Sequence, residues 1–129
     1  MNTYDIKIYY EDTDAGGVVY YSNYLKYFER ARTEYFAGRG LVIADMVKSG
    51  IHFIVVRTEA DFKISAELGD IIRVETIITE IQKASLWVEY KIYRKDKILV
   101  TGKTRLACIN DNHRPIPIPQ NILEKLKGK

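Results

Sequence analysis

Residues 9–35 read Tyr-Tyr-Glu-Asp-Thr-Asp-Ala-Gly-Gly-Val-Val-Tyr-Tyr-Ser-Asn-Tyr-Leu-Lys-Tyr-Phe-Glu-Arg-Ala-Arg-Thr-Glu-Tyr. Two periodicities meet here. Up to Tyr10 the chain alternates from Tyr4, with Ile6 and Ile8 on one side and Asp5 and Lys7 on the other, which is the period of a strand. Further on, Tyr24, Tyr27, Phe28, Ala31 and Tyr35 recur at helical spacing. That stripe is broad and aromatic, so the helix is expected to be well buried. Between the two lie three acids, Glu11, Asp12 and Asp14, and then the pair Gly16-Gly17. Ser22 is the expected N-cap, unless the first turn starts earlier, after the glycines. Gly38 and Gly40 are expected to stop the helix.

Downstream, Leu41 to Lys48 predicts a short second helix, closed by Gly50. From Ile51 the texture is that of strands. Phe53 to Val56 is rich in β-formers, in a run that reaches toward Phe62 and Ile64, and Leu68-Gly69-Asp70 is a turn. Ile72, Val74, Thr76 and Ile78 alternate with Arg73, Glu75 and Thr79. Leu86, Val88, Tyr90 and Ile92 alternate with Trp87, Glu89, Lys91 and Tyr93. Lys95-Asp96-Lys97 is a hairpin turn, and Ile98 to Ile109 is the last long strand. Pro115, Pro117 and Pro119 exclude a central strand and predict an extended tail, with a short helix over Asn121 to Lys127. Hairpin-length links imply a largely antiparallel sheet of about five strands curled around one long helix. The class is α+β, with one domain over residues 1–129.

The totals narrow the function. The chain has 129 residues and a net charge of +3, too small to argue for nucleic acid. Its one cysteine, Cys108, excludes an internal disulfide and suits a reducing, cytoplasmic setting. No signal peptide is visible at the N-terminus, and no apolar run is long enough to span a bilayer.

The turn between strand and helix can carry chemistry. A carboxylate such as Asp14 can attack a carbonyl or deprotonate the water that does. Glycines let backbone approach a ligand, and N–H groups at a helix start lack partners and carry the positive end of the dipole. Those from Val18 to Tyr21 are the expected oxyanion donors, one of which typically contributes about 3 kcal/mol in the transition state. The same residues also make an ordinary turn with an acid near a helix start. Metal binding through Glu11, Asp12 and Asp14 is a weaker option, because the only histidines are His52 and His113 and no ligand spacing supports a site.

The stretch at 9–20 resembles the YbgC-like acyl-CoA thioesterases, related to 4-hydroxybenzoyl-CoA thioesterase and built on the hotdog fold. Asn23-Tyr24 and Phe28-Glu29-Arg30-Ala31-Arg32-Thr33-Glu34 follow at that family's spacing. Phe53 to Arg57, Leu68-Gly69-Asp70 and Arg114 to Pro119 extend the resemblance over nearly the whole chain. It implies an acyl-CoA thioester hydrolase in which Asp14 is the catalytic carboxylate. The Tyr21 N–H helps hold the thioester oxygen, Gly17 and Val18 shape the pocket, and Asn23 supports it. It also implies a dimer or tetramer whose active sites are shared between subunits, with sheets joined edge to edge. Three positions depart from close relatives: Tyr21 stands where some have His, Ser65 where many have Pro, and Glu67 where some have Arg.

Coenzyme A phosphates call for cations at the pocket mouth, and Lys83, then Arg57 and Arg73, are the candidates. Each is also an ordinary solvated strand charge. Glu29 and Arg32, three apart, suit a simple ion pair. A hotdog subgroup uses a helix acid, which makes Glu29 or Glu34 a rival to Asp14. Tyr9, Tyr10, Tyr20 and Tyr27 read as core or interface rings, the two histidines as structural, and Lys125 to Lys129 as a solvated end. A thioester is already electrophilic, so no metal or redox cofactor is called for. Two other readings stay open: a dehydratase or hydratase on the same fold, and a module that binds acyl-CoA or acyl carrier protein without catalysis.

Overall fold

The computed structural model describes residues 2–128, so Met1 and Lys129, the ends of the expected domain and of its basic terminus, lie outside the described residues. The elements are β1 (Asn2–Lys7), a 3₁₀ turn (Tyr10–Asp12), α1 (Tyr21–Gly38), α2 (Ile43–Lys48), β2 (His52–Phe62), β3 (Ile71–Ile81), β4 (Ser85–Arg94), β5 (Lys97–Ile109) and α3 (Gln120–Lys127). β1 leaves its ladder at Lys7, short of the expected Tyr10. There Asp12 turns the chain, its Oδ2 accepting the Tyr9 N–H at 2.8 Å. β2 likewise stops at Phe62, before Ile64. Helix α1 starts at Tyr21 with extended Tyr20 as N-cap and no side-chain cap. Ser22 is therefore inside the first turn and does not cap it.

The strand order is β1-β3-β4-β5-β2, with every neighbouring pair antiparallel. β3–β4 and β4–β5 are the expected hairpins. β2 corrects the sequence reading: it pairs with β5 at the far edge, so the chain must cross the sheet end through residues 63–70 before β3 begins. β1 and β2 are the two open edges, and α1 lies on one face without being enclosed.

The α1 stripe packs on the inward residues of the sheet. Tyr24, Tyr27, Phe28, Ala31 and Tyr35 are all buried, as are Ile72, Val74, Leu86, Val88, Tyr90 and Ile92. The Phe28 and Tyr90 rings stack at 4.2 Å. Gly102 on β5 makes this approach possible, since a Cβ there would stand 2.6 Å from the Phe28 ring. Ile118, Ile122 and Leu126 bring the tail and α3 into the same core.

Candidate active site

The turn between β1 and α1 is held by its own polar groups. The Asp14 N–H donates to the Val18 carbonyl at 2.9 Å, and the Gly17 N–H returns to the Asp14 carbonyl at 3.0 Å. The Asp14 carboxylate closes the turn from inside. Its Oδ1 accepts the Gly16 N–H at 2.8 Å and, more weakly, the Val18 N–H at 3.4 Å. Gly17 has φ of +83°, a left-handed conformation that favours glycine. One carboxylate oxygen is thus fixed by backbone, and Oδ2 accepts no hydrogen bond among the described residues.

Not all the expected N–H donors are free. Val18 is spent on Asp14, Val19 donates to the Ala66 carbonyl at 2.9 Å, and Tyr20 donates to the Asp12 carbonyl at 3.3 Å. The N–H groups of Tyr21 and Ser22, in the first turn of α1, meet no acceptor among the described residues. A helix start leaves its first donors unpaired and lends them the positive dipole end. The free donor set therefore lies at Tyr21 and Ser22. Asn23 is buried, and its Nδ2 donates to the Asp12 carbonyl at 2.9 Å, which ties the helix start to the turn.

The crossover at residues 63–70, which carries Ser65 and Glu67, the two departures noted above, packs against this turn. Val18 bridges Glu67, and the Leu68 N–H donates to the Gly17 carbonyl at 3.0 Å. Arg94 holds Asp70 at 2.6 Å, while Asp70 Oδ2 also accepts the Glu67 N–H at 2.8 Å. No local signal reveals this pairing, because its two halves lie about 50 residues apart along the chain. Around the turn, Tyr9, Tyr10, Tyr20 and Tyr21 are exposed, and only Tyr27 of the four tyrosines singled out above is a core ring. The Tyr21 ring rests on Phe62 with centroids 4.9 Å apart.

The three candidate phosphate ligands are not gathered at this turn. Lys83 follows β3 at the opposite end of the sheet, about 30 Å away by strand rise over Ile71–Ile81. Arg57 lies mid-way along β2 and pairs with Glu59 at 2.8 Å. Arg73 is on the sheet face away from α1, 4.8 Å over the Tyr93 ring and 3.8 Å from Glu75. Glu29 and Arg32 do not form the expected ion pair; Arg32 makes a long contact of 3.4 Å to the Tyr90 hydroxyl. Both border a groove of about 330 Å³ between α1 and β2, which Leu25, Phe28, Val55 and Thr58 also line. His52 pairs with Asp111 at 2.7 Å, far from the turn in the fold. Among the described residues no three His, Cys, Asp or Glu side chains converge as a metal site, and no helix is long and apolar enough to cross a membrane.

The fold is thus an antiparallel sheet carrying one long helix, with a carboxylate turn before the helix start. Residues 9–126 match the family model of the thioesterase-like superfamily, and the chain belongs to that family. It is 40% identical over 132 residues to acyl-CoA thioesterase YbgC of Helicobacter pylori, covering 95% of this chain and 97% of that one. It is 34% identical over 122 residues to acyl-CoA thioesterase YbgC of Haemophilus influenzae, covering 93% and 90%. A solved structure of a hypothetical protein from Thermus thermophilus superposes with a TM-score of 0.94 at 31% identity, covering 98% and 97%. The hotdog architecture implied by the sequence is the observed one.

Proposed function

We propose that this protein hydrolyses acyl-CoA thioesters, with Asp14 as the catalytic carboxylate and the N–H of Tyr21 as the main oxyanion donor. The observation that carries this is the pairing of a turn-fixed carboxylate with unspent N–H groups at the start of α1. The donors stabilise charge that grows on the carbonyl oxygen only as the tetrahedral intermediate forms, which is how binding becomes rate. Asp14 either deprotonates an attacking water or attacks first and is released by water. In both routes a C–O bond forms, the C–S bond breaks, and the thiolate leaves as coenzyme A. Gly17 shapes the turn, Val18 steadies the carboxylate, and Asn23 anchors the helix start. The groove along α1 starts near Leu25, one turn beyond Tyr21, and takes the acyl part.

The second half of the site comes from another copy of the chain. β2 is a long open edge bearing exposed Ile54, Val55 and Val56, and pairing two such edges removes an aggregation-prone surface. A homodimer, alone or paired into a tetramer, follows. Lys83 reaches a coenzyme A phosphate only across such a contact, with Arg57 and Arg73 as alternatives. Acyl carrier protein is a second possible carrier. The buried Cys108 suits a reducing, cytoplasmic setting. The test is Asp14→Asn assayed by thiol release over a series of acyl-CoAs. A loss of about 10³-fold in kcat with the fold intact is expected; a wild-type rate overturns the assignment. Hydration of an enoyl-CoA without thiol release identifies a dehydratase, and tight binding without release identifies a binding module.

A further inference from the structure

Asp12, two residues before the catalytic carboxylate, is the hub of the turn. Its Oδ2 accepts the Tyr9 N–H at 2.8 Å, and its carbonyl accepts Asn23 Nδ2 at 2.9 Å and the Tyr20 N–H at 3.3 Å. Through these contacts one residue connects the strand end, the helix N-cap and the first buried side chain of α1. Asp12 Oδ1 accepts no hydrogen bond among the described residues.

Below it lies a polar group without a use. Tyr27 follows Asn23 by four residues on α1, so both occupy the same helix face. The Tyr27 ring is 1% exposed, and its hydroxyl has no hydrogen-bond partner among the described residues. Leaving a buried hydroxyl unpaired costs free energy that a phenylalanine would avoid. Side chains on a helix lean toward its N-terminus, so the Tyr27 ring covers the turn at which Asn23 holds Asp12, and the Asp12 charge acts on the hydroxyl without a formed hydrogen bond. Burial first, and then the Asp12 charge, push the phenol well above its ordinary value. Hydrogen bonds around active sites are often long without substrate and tighten when it binds.

We propose that Asp12, Asn23 and Tyr27 are a positioning set, in which the Tyr27 hydroxyl donates to the Asp12 carboxylate in the substrate complex and fixes Asp14 relative to the Tyr21 N–H. This rests on the hydrolytic reading above. None of the three touches the reacting atoms. They act through the turn, holding two groups that lie on different elements at one separation. Near-attack geometry is sensitive to small displacements, so a loosened turn lowers kcat with little effect on substrate binding.

The experiment is steady-state thiol release by Tyr27→Phe, which keeps the ring and removes only the hydroxyl. The expected result is a fall in kcat of about tenfold, the size of one hydrogen bond to a charged group, with KM within about twofold. Asp12→Asn is expected to give a similar loss. In the double variant the second substitution adds little, the mark of two groups acting through one contact. Tyr35→Phe, on the same helix two turns further on, is expected to leave kcat unchanged. An unchanged kcat in Tyr27→Phe overturns the proposal, as does a fall that merely tracks the folded fraction. If Tyr27→Phe does not fold, Asp12→Asn decides alone, and a wild-type kcat in it overturns the proposal. Asp14→Asn in the same assay separates the two levels. If it is inactive while Tyr27→Phe and Asp12→Asn are normal, only the positioning set fails. If it is fully active, the hydrolytic reading fails and the positioning set with it.

Discussion

The turn at residues 9–20 and the edge strand β2 are both exposed, but they are incomplete in opposite ways. The turn is closed by its own backbone: Asp14, Gly17, Val19 and Tyr20 all donate to carbonyls of the same chain. What it leaves open are side chains, above all the rings of Tyr9, Tyr10, Tyr20 and Tyr21. In β2 one side of the backbone pairs with β5, and the other meets no strand among the described residues. Ile54, Val55 and Val56 are exposed beside that open ladder. The fold of the turn is set by contacts within its own chain. The strand offers a backbone template that a ligand cannot satisfy and a second copy can.

The contrast breaks most visibly at the edge. Ile54→Lys combined with Val56→Lys places charges on the open strand. Sedimentation is expected to show weakened self-association by roughly a hundredfold, about 3 kcal/mol. Thiol-release activity is expected to fall in step with the dimer population, and a variant equally active as a monomer sinks the shared-site idea.

A smaller effect is expected inside the turn. Gly17→Ala meets no atom within 4 Å, so its cost is the left-handed backbone alone. Stability measured by urea midpoint is expected to drop by about 1 kcal/mol. An unchanged midpoint means that the turn relaxes without the left-handed residue.

The smallest effect lies beneath the turn, in pH dependence. Burial raises the Tyr24 and Tyr27 phenols above their ordinary value. A raised folded value means that the unfolded chain gives up these protons first. The stability held below the unfolded value, about pH 10, is therefore lost as pH rises beyond it. Tyr27→Phe removes one contributor, so its urea midpoint is expected to decline less steeply between about pH 9 and pH 11. An identical slope assigns the alkaline loss elsewhere.

Local pattern was enough for the elements and for the carboxylate turn. The aromatic stripe of α1 and the alternation in β3 and β4 are properties of adjacent residues, and both face the core as read. Long-range facts were another matter. That β2 sits at the far edge depends on its pairing with β5, and no short-range pattern encodes that partner. The sequence could place N–H groups near a helix start. It could not show that Asp14, Ala66 and Asp12 consume three of the four expected ones, leaving Tyr21, with Ser22 as a further free donor. That Lys83 stands at the far end of its own sheet from the turn was equally hidden, because distance along a folded strand is invisible in a list of residues.

The crossover at residues 63–70 has a bearing on when the site comes into being. Gly17 and Val18 are held by Leu68 and Glu67, so the turn is not complete until the chain closes a loop of about 50 residues. By loop-closure entropy that ring costs about 3.5 kcal/mol, and strand pairing across the sheet has to offset it. A nascent chain that has already formed α1 therefore still lacks a finished turn. The turn matures with the sheet, and local opening of the crossover removes the contacts that complete it.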